Sequence, residues 1–176
     1  MYFAALLART EDGWEASDTE LDNVETLTDL ADLARESSVG DDTVLALIEQ
    51  EDSWFAIVRV DGEDDPRVYV SDAAAASRSS YGAMLVDELT GREEDDGELE
   101  SLDLDGTEDG EPEPADEGPD SDAAEAAAPA PHGPLGDAAL LADLGVGEKE
   151  LRALDGDALS TIADVLGCTE VLEAVR

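Results

Sequence analysis

Apolar residues recur along this chain in short runs broken by turn-forming pairs, and the spacing of each run predicts an element. Residues 3–9 are apolar up to Arg9 and read as a strand. Asp12-Gly13 is a hairpin signal, and Trp14-Glu15-Ala16-Ser17 alternates as a returning edge strand. Asp22, with Glu25 three positions on, resembles a capping box. Val24, Leu27, Leu30, Ala31 and Ala34 then lie at helical spacing, and Gly40 falls just past the end.

Val44-Leu45-Ala46-Leu47-Ile48 is apolar on both faces, which predicts a central strand covered on both sides. Glu51-Asp52 turns it into a strand over 54–60, Asp61-Gly62 opens a second turn, and Pro66 precedes a strand over 67–70. These three make an antiparallel meander. Asp72 is placed to cap a helix running to Leu89, with Tyr81, Met84, Leu85 and Leu89 on one face and Gly91 closing it. The expected class is α+β: an antiparallel sheet of about five strands in the order ββαβββα, followed by a small C-terminal helical region.

That region, 135–176, predicts short helices over 137–144, 148–154 and 158–166 and a final turn or two from Glu170. Leu159, Ile162, Ala163 and Leu166 fit the i, i+3, i+4, i+7 pattern. Some 40 residues are marginal as a separate fold, so they form either a tethered mini-bundle or a layer docked on the sheet. The two-faced strand 44–48 favours some docking, although the first two helices could cover one face and leave the other for a partner. Between the sheet domain (1–90) and this region, residues 91–134 hold almost no large apolar side chain and six of the seven prolines. Such a stretch cannot offset an ordering entropy of about 1–2 kcal/mol per residue, so a disordered linker is expected.

Charge sharpens the picture. Asp and Glu total 48 against 9 Lys and Arg, a formal net charge of −39, split as −17, −16 and −6 over residues 1–90, 91–134 and 135–176. A surface this acidic repels nucleic acid and anionic lipid and favours a basic protein partner. Lys149 is the only lysine, which fits a GC-rich genome or a salt-adapted cytoplasm. The N-terminal apolar run has no basic leader and falls far short of the ~20 residues needed to cross a bilayer, so a cytoplasmic protein is expected. A single cysteine fits a reducing compartment.

Candidate chemistry is sparse. His132, the only histidine, lies in the expected linker, where nothing positions it as an acid or base. Cys168 has no base to make it a nucleophile. Asp103-Leu104-Asp105-Gly106 resembles part of a calcium loop, but Ser101 and Pro112 stand where oxygen ligands belong. Gly145-Val146-Gly147 lacks the third glycine of a dinucleotide loop and reads as a helix boundary. No catalytic residue, cofactor or metal site is expected.

The turn Asp61-Gly62-Glu63-Asp64-Asp65 is the densest ordered acidic cluster: a solvated hairpin or a docking point for basic side chains. Asp61, Glu63, Asp64 and Asp65, with the scarce aromatics Trp14 and Tyr81, are therefore the candidate partner-binding residues. Most of the four aromatics Trp14, Trp54, Tyr69 and Tyr81 are expected in the core, and any that is exposed would anchor an interface.

Several blocks together are distinctive. Tyr2-Phe3-Ala4-Ala5, Leu7-Ala8-Arg9-Thr10 and Asp12-Gly13-Trp14 open the pattern. Residues 54–62, 65–72 and Leu140-Leu141-Ala142-Asp143-Leu144-Gly145 continue it. The whole resembles the actinobacterial tRNA adenosine deaminase-associated proteins. The resemblance implies association, through gene neighbourhood, with the deaminase that converts the wobble adenosine of tRNA to inosine, and an actinobacterial, GC-rich origin. It does not imply deaminase activity: one histidine and one cysteine cannot supply the His-x-Glu and Pro-Cys-x-x-Cys signature.

Three readings follow. The first is a non-enzymatic accessory protein that binds a basic protein, with the deaminase as the candidate. The second is an acidic mimic of a phosphate backbone that competes for a cationic groove. The third is a small enzyme using Asp65 or Asp72 with Arg67 or Arg78. Oligomeric state is open at this level.

Overall fold

Strands that are apolar on both faces need a layer on each side of their sheet, and this chain supplies both layers. The computed structural model describes residues 2–18, 21–38, 42–50, 53–98, 132–154 and 156–175. The expected stop at Gly40, the turn at Glu51-Asp52, the fragment 103–106 and the linker over 99–131 lie outside the described residues.

Six antiparallel strands lie in the order β2-β1-β3-β4-β5-β6. They are β1 (Tyr2–Thr10), β2 (Gly13–Asp18), β3 (Thr43–Gln50), β4 (Trp54–Asp61), β5 (Arg67–Val70) and β6 (Leu135–Gly136). The α+β class and the order of the first five strands are as expected. The sixth strand adds an edge that pairs Tyr69 with Gly136 and Val70 with Leu135. Gly136 makes this approach possible. Its φ is +95°, and a Cβ there would sit 2.2 Å from the Val68 carbonyl oxygen, so only glycine fits.

Alternation along the strands builds two cores. On one face Leu6, Ala8, Val44, Ala46, Ile48, Ala56, Val58 and Val60 meet Leu27, Leu30, Ala31 and Ala34 of α1 (Leu27–Ser37). Ala73 and Ala76 of α2 (Ala73–Ala76) and Leu85 and Val86 of α3 (Ser80–Glu98) complete this layer. On the other face Ala5, Leu7, Leu45, Leu47, Ile57 and Tyr69 meet the C-terminal region. That region contributes Leu140 and Leu141, Leu151 of α4 (Glu148–Ala153), Leu159 and Ile162 of α5 (Ala158–Leu166), and Leu172 of α6 (Thr169–Val175). The C-terminal helices are therefore docked on the sheet.

Three helical expectations are corrected. The first concerns the start of α1. Asp22 lies in a short 3-10 turn, Leu21–Asn23, and Thr26 is the N-cap. The capping box is Thr26 with Asp29: Asp29 N donates to Thr26 Oγ1 at 3.2 Å, and Thr26 N donates to Asp29 Oδ2 at 3.0 Å. Burying Leu21 and Val24 ahead of the helix sets its start four residues later than Asp22-x-x-Glu25 suggests.

The second concerns the helix from Asp72, which is two helices. Asp72 does cap α2, accepting from Ala75 N at 3.0 Å. The chain then breaks at 77–79 so that Gly82 can pack on the Ala76 carbonyl, and α3 passes Gly91 to Glu98.

The third concerns residues 137–144, which form turns and a 3-10 segment, Ala142–Leu144, in place of a helix. The β6 ladder carries on into Asp137, whose N–H donates to Val68 O at 2.8 Å. The Leu140 carbonyl, which a regular helix would use itself, accepts from Arg59 Nη1 at 2.6 Å.

Candidate functional site

The sheet register gathers acidic loops that are far apart in sequence. Ala8 pairs with Val44, Thr43 with Asp61 and Arg59 with Arg67. The end of β1, the start of β3, the end of β4 and the start of β5 therefore share one end of the sheet. Glu11 and Asp12 of the first turn, Asp42, and the turn 61–65 all lie at this end. Glu11, Asp12, Asp42, Glu63, Asp64 and Asp65 are all exposed.

The 61–65 turn is held from behind. Arg35 of α1 donates through Nε to Gly62 O at 3.0 Å and through Nη2 to Asp64 O at 3.1 Å. Asp61 faces the protein: Thr43 Oγ1 donates to its Oδ1 at 2.6 Å and Arg59 Nε to its Oδ2 at 2.9 Å, while Arg67 Nη2 lies at 3.3 Å. Burial would raise the Asp61 pKa, but the hydrogen bonds from Thr43 and Arg59 outweigh it and lower it. Asp61 is thus a structural anchor. Glu63, Asp64 and Asp65 form no ion pair with another described residue, so their charge is available to a partner.

Arg59, which sequence reasoning passed over, is the hub of this end. It is 7 % exposed on the face covered by the C-terminal region. Besides Asp61 and the Leu140 carbonyl it holds Asp143 through both oxygens, with Nη2 to Oδ2 at 2.9 Å. The Arg59 hydrogen bond holds the Asp143 carboxyl below its usual range, and Asp143 in turn raises the guanidinium. An arginine inside an otherwise apolar strand, Ala56-Ile57-Val58-Arg59-Val60, was the signal available. A lone charge within a buried strand requires a partner.

Trp14 and Tyr81 do not join one surface. Trp14, half-buried on β2, packs against the C-terminal core and lines an open concavity of about 470 Å³ with Glu11, Asp12, Glu15 and Asp42. Tyr81 packs on the opposite core, and its ring meets Tyr2 edge-on at 5.4 Å, where β1 begins. Trp14 therefore belongs to the acidic end and Tyr81 does not.

The residues weighed for catalysis do not converge either. Asp65 and Arg67 stand at the acidic end, whereas Asp72 follows the far end of β5 and caps α2. Arg67 pairs with Asp61 and Asp137, and Arg78 is exposed. His132 is exposed beside β6. Cys168 is buried, and burial pushes its thiol up to about 11, far from a reactive thiolate. Glu49, buried at the end of β3, lines a cavity of about 40 Å³ with Ser53 and Ser71, room for a few waters. Gly147 begins α4 as a helix boundary, its N–H donating to Glu150 Oε2 at 2.9 Å. Among the described residues no three His, Cys, Asp or Glu side chains form a metal-ligand group, and no helix is long and apolar enough to cross a membrane.

No curated protein and no solved structure matches the chain. A family model does: the one described as Rv3753c-like tRNA adenosine deaminase-associated protein, over residues 2–169, from the first strand to the start of the last helix. The sheet, the acidic end and the docked C-terminal layer up to the start of α6 fall inside that match, and the chain belongs to this family.

Proposed function

We propose that this protein is a non-enzymatic accessory protein of the cytoplasm whose acidic end binds a basic protein, the tRNA adenosine deaminase named in its family's description being the first candidate. The observation that carries this reading is the convergence of exposed carboxylates from three separate loops on one end of the sheet. Folding loops of like charge together is unfavourable by itself, and a cationic surface relieves the repulsion. The family description supports the choice of partner. The small size of the Glu49 cavity and the scatter of Asp65, Asp72, Arg67 and Arg78 support a binding role over a catalytic one.

The test is co-migration of purified protein and deaminase on a sizing column. The complex is expected at about 0.1 M salt and should dissociate near 1 M, where the screening length falls to about 3 Å. Two separate peaks at low salt would remove the deaminase as partner.

A further inference from the structure

The C-terminal layer carries a second feature, distant in kind from the acidic end. Val146, Ala153, Leu154, Ile162 and Val165 line an open groove of about 250 Å³ between α4 and α5, with Glu150 and Thr161 at its margin. On a surface where charged residues abound, Val165 is 48 % exposed. Among the described residues only Tyr2 is another large hydrophobic left so open, and Tyr2 has the Tyr81 ring against it. Val165 instead lies beside the Gly145 turn, its Cγ1 3.2 Å from where a Gly145 Cβ would stand. The groove is below the ~300–1,000 Å³ of small-molecule pockets and suits an inserted side chain better.

Its surroundings specify the occupant. Thr161 and Val165 lie four apart on α5 and share the groove-facing side, and the exposed carboxylate of Asp157 immediately precedes that helix. Glu150 supplies another from α4, and Asp164 stands exposed beside Val165. Of the basic residues on α4, Arg152 is paired with Glu148 at 2.8 Å, and Lys149 lies between Glu148 and Glu150 in sequence. An apolar trough with acidic margins complements a segment with apolar anchors and basic flanks. The groove walls are helical and present no strand edge, so they offer no ladder to an extended segment. A helix, which satisfies its own backbone, meets no such deficit.

We infer that the α4–α5 groove is a docking site for an amphipathic, basic helix of the partner protein, with Val165 at the centre of the contact. This rests on the reading that the partner is basic, and it adds an apolar, shape-dependent contact to a charge-dependent one.

The experiment uses the full chain and two labelled peptides of identical composition. One has leucines on one helical face and arginines on the other, and the second is scrambled to abolish that face. At about 0.1 M salt the amphipathic peptide should bind at least about tenfold tighter, a difference of ~1.4 kcal/mol. Val165→Glu, at an exposed position that leaves the fold intact by circular dichroism, should erase that advantage. Ala153→Glu, across the groove, should do the same. Both variants add negative charge, so general attraction between opposite charges predicts equal or tighter binding of both peptides.

If the variants keep the amphipathic preference, the groove assignment is overturned while a basic partner survives. If Val165→Glu instead converts a self-associated protein to monomer, the occupant is a second copy and the inference is equally overturned. If neither peptide binds, the groove assignment is overturned, while the basic-partner reading stands or falls on co-migration with the deaminase.

Discussion

The two faces of the sheet are covered in different ways. On the α1 face the sheet mixes Leu6, Ile48 and Trp54 with small side chains, Ala8, Ala46, Ala56 and valines, and receives helices whose inner positions are themselves largely alanine and leucine. On the other face the sheet offers Leu7, Leu45, Leu47, Ile57 and Tyr69, and short helices and turns from a distant part of the chain close over them. The first layer is made by segments next to the strands in sequence. The second contains the Arg59–Asp143 contact, and its outer surface carries the Val165 groove. The sheet is therefore a central wall with a buried core on each face, and its second covering carries the Val165 groove.

Removing the second layer is the most severe test. A chain ending at residue 131 loses β6 and the whole C-terminal cover, which leaves the large side chains of one face in water. The expected loss is on the order of a domain's entire stability, about 5–15 kcal/mol. It would appear as dye-binding, aggregation-prone protein without a cooperative melt. A soluble, two-state truncated chain would show that the second layer is ornamental.

A finer test matches one leucine from each layer. Leu30→Ala in α1 and Leu159→Ala in α5 each remove a fully buried side chain, and each should cost about 2–5 kcal/mol in chemical denaturation. A much smaller cost for Leu159→Ala would mean the C-terminal layer unfolds separately.

Smaller still is the polar contact between layers. Arg59→Met should cost about 1–3 kcal/mol, because the Leu140 carbonyl and the Asp143 carboxylate lose the Arg59 donor and Asp61 keeps only Thr43 and Arg67. Asp61 and Asp143 have folded-state pKa values below their unfolded ones. Their contribution is complete above about pH 4 and is lost as the pH falls through the lowered values. The gap between Arg59→Met and the parent should therefore narrow below about pH 4 in denaturation curves taken across that range. A gap that widens on acidification would refute the contact.

The least disruptive change is at the exposed turn. Replacing Glu63, Asp64 and Asp65 by Gln and Asn should alter stability by less than about 0.5 kcal/mol. It should nonetheless weaken capture of the basic partner and flatten its salt dependence. Unchanged capture would place the partner elsewhere.

What was legible in the chain was local. The apolar runs at 44–48 and 54–60, the Asp12-Gly13 turn and the Asp72 cap each depend on near neighbours, and each appears where expected. So do the spacing of α5 and the Gly145–Gly147 boundary. The Leu45 and Leu47 positions even required a second cover, which the C-terminal region provides. The acidic turn was found, but its inward member Asp61 could not be told from its outward ones, because that depends on Thr43 and Arg59 across the strand register.

Other features were decided only when the chain closed on itself. The Thr26 cap prevailed over Asp22 because burial of Leu21 and Val24 fixed where α1 could begin. The 137–144 segment forwent a helix because Val68 and Arg59 took its backbone groups. Pairing Ala8 with Val44 and Thr43 with Asp61 brought the acidic loops to one end, and packing α4 against α5 opened the groove at Val165. Periodicity and charge are properties of residues near one another along the chain. Register, partner choice and surface shape are set by contacts between residues tens of positions apart, which compete for the same backbone groups and the same buried space.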